Sequence, residues 1–225
     1  MVSKPALSMS VDWFPPAIRF EESSIQEAQA PLFPDEEVAV ARAIERRRQE
    51  FCAGRTCARR ALSALGQSPL PLPANADRSP RWPDGFVGSI THSSNYAAAA
   101  VARRHEILSI GIDAEMLSRV TPEIHDRILV ASELEWISKN RGPGETHWPA
   151  MFFSAKESFY KLQRPLTGEF LEFHEVQIHV IPNQRRFTVN TLRRTFDCLG
   201  DLSQIQGRYQ ILQDKIFTAM WLPRS

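Results

Sequence analysis

The segment IGIDAE, residues 110–115, places Asp113 and Glu115 one residue apart at the end of an apolar, β-branched run. In a strand, side chains two positions apart point to the same face and lie about 6 to 7 Å apart along the chain, so both carboxylates project together. Like charges at that spacing repel unless water separates them or a cation does, and a hard divalent ion such as Mg2+ prefers carboxylate oxygens. A solvated strand end satisfies the same pattern, so the pair needs company before it reads as a metal site. Ala114, between them, has no side-chain oxygen to offer.

FFSAKESFYK, residues 152–161, is the candidate company. In a helix starting after Ser154, Glu157 and Lys161 share a face, with Lys156 one position round. Two readings stay open. Ser154 and Glu157 have the spacing of a capping box, and Glu157 with Lys161 that of an ordinary helical ion pair. Alternatively, Glu157 completes a metal site with Asp113 and Glu115, while Lys161 and the helix N-terminus face an anion. His92, in THSS, is either a solvated turn residue or a donor to phosphate from a hairpin tip. Between Arg42 and Arg60 stand seven arginines (42, 46, 47, 48, 55, 59, 60) against Glu45 and Glu50. Arg42, Arg46 and Arg60 are assigned to a solvated helix face. Arg47, Arg55 and Arg59 are the candidates for phosphate, which a guanidinium fork fits well.

These residues need elements to hold them. Residues 1–35 read as strands and turns leading into a first helix, DEEVAVARAIERRRQEF, acidic in its first turn and basic towards its last. GRTCARRALSALG follows with Ala58, Leu62 and Leu65 on one face and Gly66 as its stop. LPLPANADRSPRWPDG is a loop by its Pro, Asn, Asp and Gly. FVGSITHSSNYAAAAVARR reads as strand, turn and strand, with His92 at the turn, and ILSIGIDAE as a third strand of the same antiparallel meander. SELEW offers Ser132 and Glu135 as a capping box for a helix to about Lys139. RGPGETHWP is a loop, MFFSAKESFYKLQ a helix, and VQIHVI, RRFTVNTL, GRYQILQ and IFTAMWL are strands. The fold class expected is α+β, each half a helix plus antiparallel strands.

Bulk properties restrict the function. The 225 residues are 43% hydrophobic and 24% charged, ordinary for a globular protein, and allow one large domain or two small ones. A net charge of +1 argues against a general nucleic-acid binder. The three cysteines, Cys52, Cys57 and Cys198, form no C-x-x-C pair and fit a reducing cytoplasm. The six histidines show no H-x-x-x-H pattern, and no apolar run has the length of a membrane span or signal core.

The order of RRRQEFCAGRTCARRAL, RSPRWPDGFVGSITHS, GIDAE and FSAKESFYK, with PLTGEFLEF after them, closely resembles 4'-phosphopantetheinyl transferases of the EntD/Sfp type. The resemblance runs from about Arg46 to Phe173. It implies two similar α/β subdomains, 1–108 and 109–225, about a pseudo-twofold axis, with coenzyme A in the cleft between them. It implies Asp113, Glu115 and Glu157 as ligands of Mg2+ (or Mn2+), and Glu157, Lys161 and His92 as the catalytic set. Arg47, Arg55, Arg78, Ser89, His92, Lys156 and Lys161 would contact coenzyme A, with Arg48 an alternative to Arg47. The implied reaction moves phosphopantetheine from coenzyme A to a serine of an apo acyl or peptidyl carrier protein, releasing adenosine 3',5'-bisphosphate. The carrier would dock around Met116 to Ile128, with Arg119 and Arg127. The chain is expected to be a cytoplasmic monomer with no nucleic-acid or membrane partner. Rival readings are a catalytically silent coenzyme A or carrier-binding module and a Mg2+-dependent phosphohydrolase or nuclease.

Overall fold

The computed structural model describes residues 13–27, 29–140, 142, 147–192, 199 and 201–224. Cys198, the first twelve residues and most of the loop expected at RGPGETHWP lie outside the described residues. The chain divides between Leu108 and Ser109 into two compact units, with Arg224 going to the first. Each unit is helix on antiparallel strands, so the α+β class holds. Among the described residues no helix is long and apolar enough to cross a membrane.

In the first unit β1 (Ile18–Ser24), β2 (Phe86–Ser93) and β3 (Tyr96–Arg103) form an antiparallel sheet of order β1-β3-β2. β2 and β3 pair up to Ser93 and Tyr96, so the turn is Ser94–Asn95, and Ser94 takes the left-handed φ of 54° that such two-residue turns demand. His92 is therefore not at the turn. It lies inside β2, opposite Ala97. β3 reads YAAAAVAR, poor in intrinsic strand preference. Its value lies in packing, because Ala97, Ala99 and Val101 meet Ala53, Cys57, Ala58, Ala61 and Leu62 of a helix in one core of small side chains. The helix sits so close that a Cβ on Gly54 would come within 2.7 Å of Ile90 Cγ2.

That helix is α2 (Glu45–Ala64), preceded by α1 (Pro34–Val40). The single helix expected across residues 35–51 is thus broken at 41–44, although AVARAIE contains no breaker. The cause is tertiary. Glu36, fully buried, accepts from Arg59 Nη1 at 2.9 Å and from the Phe33 and Leu72 N–H groups at 2.9 Å each. Glu36 and Arg59 are 23 residues apart. An unbroken helix would separate them by about 34 Å, so folding α1 back is what lets the pair form. α2 ends as its glycine predicts, with Gly66 at φ 84°.

The division falls within β4 (Ile107–Met116), most of which belongs to the second unit and which does not extend the hairpin. It is the edge of a five-stranded sheet of order β4-β8-β7-β6-β5. The meander expected over residues 86–115 is therefore corrected to a hairpin plus a strand of another sheet. The short helix α3 (His125–Ile128), α4 (Ala131–Asn140) and α5 (Trp148–Thr167) come next, then β5 (Val176–Ile181), β6 (Arg186–Thr191), β7 (Gln206–Leu212) and β8 (Lys215–Pro223). α5 starts six residues before Ser154. Trp148, Met151, Phe152, Ala155, Phe159 and Leu162 form its buried stripe, Pro149 occupies its first turn, and Gly168 closes it at φ 70°.

α5 crosses β4 at Gly111. A Cβ there would run into the Ser158 carbonyl oxygen and stand 2.9 Å from the Leu162 nitrogen, so helix backbone rests directly on strand backbone. Short hydroxyl side chains line this seam. Ser109 Oγ donates to the Leu162 carbonyl at 2.6 Å, and Ser158 and Ser154 Oγ lie 2.7 and 2.8 Å from Thr218 Oγ1 on β8.

A second tie is ionic. Lys156 and Glu133 pair at 2.7 Å with both side chains 1% exposed. Lys156 also donates to the Ile128 and Phe173 carbonyls (2.8 and 3.0 Å), and Glu133 accepts from the Val130 and Ile178 N–H groups (3.0 and 2.8 Å). All three ammonium protons are used. Lys156 is thus a brace binding α5 to α4, β5 and the turn at Phe173, and not the phosphate contact expected of it. The capping box expected of Ser132 is corrected too: Ser132 Oγ accepts from Gln177 Nε2 at 2.6 Å, and Glu133 caps Val130.

Two substitutions test these ties by urea unfolding. Gly111→Ala should cost more than the roughly 1–3 kcal/mol of ordinary overpacking, because the clash is with backbone. Lys156→Met should cost about 3–5 kcal/mol by stranding a buried carboxylate, and adding Glu133→Leu should restore much of it. A cost under about 1 kcal/mol for Lys156→Met would show that the brace carries no load.

Candidate active site

β4 delivers Asp113 and Glu115 to the end of the Gly111 seam, both of them buried. Asp113 Oδ2 accepts from Ser154 Oγ at 2.8 Å, and Oδ1 accepts from Lys161 Nζ at 2.8 Å. Lys161 donates as well to the Ile112 carbonyl at 3.0 Å. Ser154 is therefore no helix cap: it sits mid-helix and holds an acid on the sheet. Lys161 is likewise bound to β4, leaving one of its three protons for a ligand.

Glu115 accepts from its neighbour Met116 N–H at 2.8 Å and stands 3.3 Å from Arg119. Burial pushes its carboxyl up, partly offset by that N–H, with the Asp113 charge adding to the rise. Burial also raises Glu157, and the charges of Asp113 and, more weakly, Glu115 raise it further, while Lys161 pulls it down. The charge of Asp113 thus bears on both glutamates. Yet among the described residues no three His, Cys, Asp or Glu side chains stand close enough to hold an ion as they are. By donor chemistry they fit a hard divalent cation: oxygen only, partly withdrawn from water, and mutually repelling.

Glu157 faces a cavity of about 470 Å³ within the second unit, lined by Arg127, Tyr160 and the segment Phe170–His174. Phe170 is 65% exposed and meets the Tyr160 ring edge-on at 5.9 Å. PLTGEFLEF showed nothing of this in sequence, since apolar residues there read equally well as core.

The first unit holds a larger cavity of about 680 Å³. Arg42, Arg47, Arg55, Arg78 and His92 line it, against two acids, Asp35 and Glu50. Arg55 is 4% exposed, donates from Nε to the Leu72 carbonyl at 2.7 Å, and lies over the Phe51 ring at 4.2 Å. Its Nη2 is buried with no hydrogen-bond partner. Burial lowers its pKa to about 10, still far above neutral, so a cation with an unused donor is part of this cavity's wall. Arg78 reaches the cavity from a tight turn in which its own backbone is left-handed at φ 68°, an arrangement costly for any residue but glycine.

The cavity also sorts the other arginines. Arg47 lines it, whereas Arg48 turns away to Glu37 at 2.6 Å. Arg59, expected to face phosphate, is consumed by Glu36, and Arg42, expected to be merely solvated, lines the wall. Ser89 is buried in β2 opposite Ala100 and is not among the lining residues.

Comparison with known proteins identifies the family. Residues 35–102 match the 4'-phosphopantetheinyl transferase N-terminal domain, and residues 109–218 match the 4'-phosphopantetheinyl transferase superfamily. The chain is 43% identical over 163 residues to 4'-phosphopantetheinyl transferase Svp of Streptomyces mobaraensis, covering 72% of this chain and 66% of that one. It is 34% identical to 4'-phosphopantetheinyl transferase PptT of Mycobacterium tuberculosis, covering 92% and 95%. It is 32% identical to enterobactin synthase component D of Salmonella typhimurium, covering 64% and 59%. A holo-(acyl-carrier-protein) synthase from Bacillus anthracis, solved in complex with CoA (3',5'-ADP), overlaps 53% of the chain at 19% identity and a TM-score of 0.42. Matched on both sides of its division, and by one relative along nearly all of that relative's length, the chain belongs to the 4'-phosphopantetheinyl transferase superfamily.

Proposed function

We propose that the chain transfers 4'-phosphopantetheine from coenzyme A to a serine of an apo carrier protein, and that the first unit's cavity takes the 3'-phosphate and adenosine end of the donor. The observation that carries this placement is the buried, unused Nη2 of Arg55 in a cavity with three further arginines. A desolvated guanidinium with a spare donor is satisfied by a phosphate oxygen.

In the reaction the serine oxygen attacks the phosphorus bearing pantetheine. The bond from that phosphorus to the bridging oxygen of the diphosphate breaks, and the bridging oxygen leaves with adenosine 3',5'-bisphosphate. Asp113, Glu115 and Glu157 would hold a divalent cation, Mg2+ or Mn2+, whose charge neutralises the diphosphate. Lys161, fixed by Asp113 and the Ile112 carbonyl, offers its remaining proton to a phosphate oxygen. The serine proton needs an acceptor within reach, and we assign that task to Glu157. Catalysis of this kind is mostly positioning and charge stabilisation.

The proposal is tested by incubating the protein with coenzyme A, Mg2+ and a panel of apo-carrier proteins and reading intact mass. One carrier should gain about 340 Da, the mass of the transferred arm; no gain on any carrier overturns the reaction. Arg78→Gly relaxes the left-handed turn while removing the charge, so it should leave the melting temperature unchanged or higher and raise KM for coenzyme A about tenfold. An unchanged KM would remove Arg78 from the site.

The carboxylates predict a pH dependence. Glu115 and Glu157 titrate above their ordinary value in the fold, so their contribution to stability is complete below about pH 4.3 and lost as pH rises through the raised values. A bound cation offsets that loss only where they are ionised. Millimolar Mg2+ should therefore raise Tm against chelator at about pH 7.5 and do so much less at about pH 4, below the ordinary glutamate value. Equal increments at both would exclude these two acids as ligands.

A further inference from the structure

We infer that Glu50 is a positioning residue for His92: it sets which ring nitrogen carries the proton and supplies the counter-charge when an incoming phosphate turns His92 into a double donor, so that binding takes up a proton. The inference rests on reading the first unit's cavity as the 3'-phosphate site. Arg47 Nη1 lies 2.6 Å from His92 Nε2. A guanidinium only donates, so Nε2 is the acceptor and the ring proton is on Nδ1. Nδ1 in turn faces Glu50 Oε2 at 3.5 Å. The ring is thus neutral, held between a cation and a carboxylate.

A phosphate oxygen only accepts. When it draws off the Arg47 guanidinium, Nε2 faces an acceptor and can bond to it only as an N–H; moving the Nδ1 proton across would leave a bare nitrogen against the Glu50 carboxylate, so the ring instead gains a second proton from solvent. The imidazolium so formed stands between the phosphate and Glu50. Glu50 is placed for this role: it is 13% exposed, its Oε1 accepts from Arg46 Nε at 3.2 Å, and Oε2 is 3.6 Å from Arg47 Nη1.

The charged groups around His92 set the sign. Arg46, Arg47, Arg55 and Glu50 come from α2, Asp35 from α1, Arg42 from the link after it and Arg78 from the loop; the facing residue of β3 is Ala97. The excess of arginines opposes a charge on His92 until an anion arrives, and the anion removes that opposition. Of the acids named here, Glu50 is the one within ion-pair distance of the ring.

Calorimetry of the full chain with coenzyme A and with dephospho-coenzyme A, which differ only by the 3'-phosphate, tests this at about pH 7.5, where a free phosphate monoester is already mostly dianionic. Titrations in two buffers of different ionisation enthalpy give the protons taken up. Coenzyme A should take up at least about half a proton more than dephospho-coenzyme A. Glu50→Gln should bind both, with that difference reduced at least about threefold, and His92→Asn should abolish it. Retained binding of dephospho-coenzyme A by each variant shows that it is folded. Equal uptake for the two ligands in the unaltered protein overturns the proton coupling while leaving the functional reading intact. Undiminished uptake in Glu50→Gln overturns the role of Glu50. No preference for coenzyme A over dephospho-coenzyme A would instead overturn the assignment of the cavity, and the inference with it.

Discussion

The second unit is organised around one absence of side chain. At Gly111 the backbone of α5 lies on the backbone of β4, and every chemical feature downstream follows from that approach. Asp113 comes within reach of Ser154 and Lys161 only because no side chain holds helix and strand apart. The seam is otherwise lined by Ser109, Ser154, Ser158 and Thr218, which are small and can bond to a backbone or to one another. Hydroxyls here do what larger apolar groups could not. They keep the interface thin while leaving few buried polar groups unsatisfied.

Buried charge is then divided into two kinds. Glu36 with Arg59, and Glu133 with Lys156, are closed: each carboxylate takes backbone N–H groups as well as its cation, and each cation also bonds to backbone carbonyls. Such pairs fix elements and have little capacity left for a ligand. Arg55, Glu115 and Glu157 are open, either with an unused donor or with burial and like charge raising the cost of ionisation. Completeness of hydrogen bonding, more than residue type, separates scaffold from site. Both kinds occur one residue apart in α5, at Lys156 and Glu157.

That distinction explains what could be read from sequence. The motif residues were legible because their types and order are specific, and most elements were legible from periodicity and turn chemistry. Lys156 is not legible because a lysine beside a candidate ligand glutamate looks the same whether it faces a ligand or a buried acid 23 positions earlier. Arg59 was misjudged for the same reason, since Glu36 meets it only after α1 has folded back. β4 was placed in the wrong sheet because its alternation shows that it is a strand but not which neighbour it pairs with. The start of α5 was placed late because Ser154 has cap spacing, while the apolar stripe from Trp148 was the stronger signal. The choice between Arg47 and Arg48 depends on a helical rotation of about 100°, which no local pattern resolves.

β3 carries a final implication. Its methyl groups set how near α2 can come to the sheet, and α2 is the platform from which Arg47, Glu50 and Arg55 reach their cavity. The dimensions of that cavity are therefore inherited from alanines behind the helix that do not line it. A chain that enlarged those alanines would lift the platform as a body. It would then need cationic side chains of different reach, so the strand and the cavity wall can change only together.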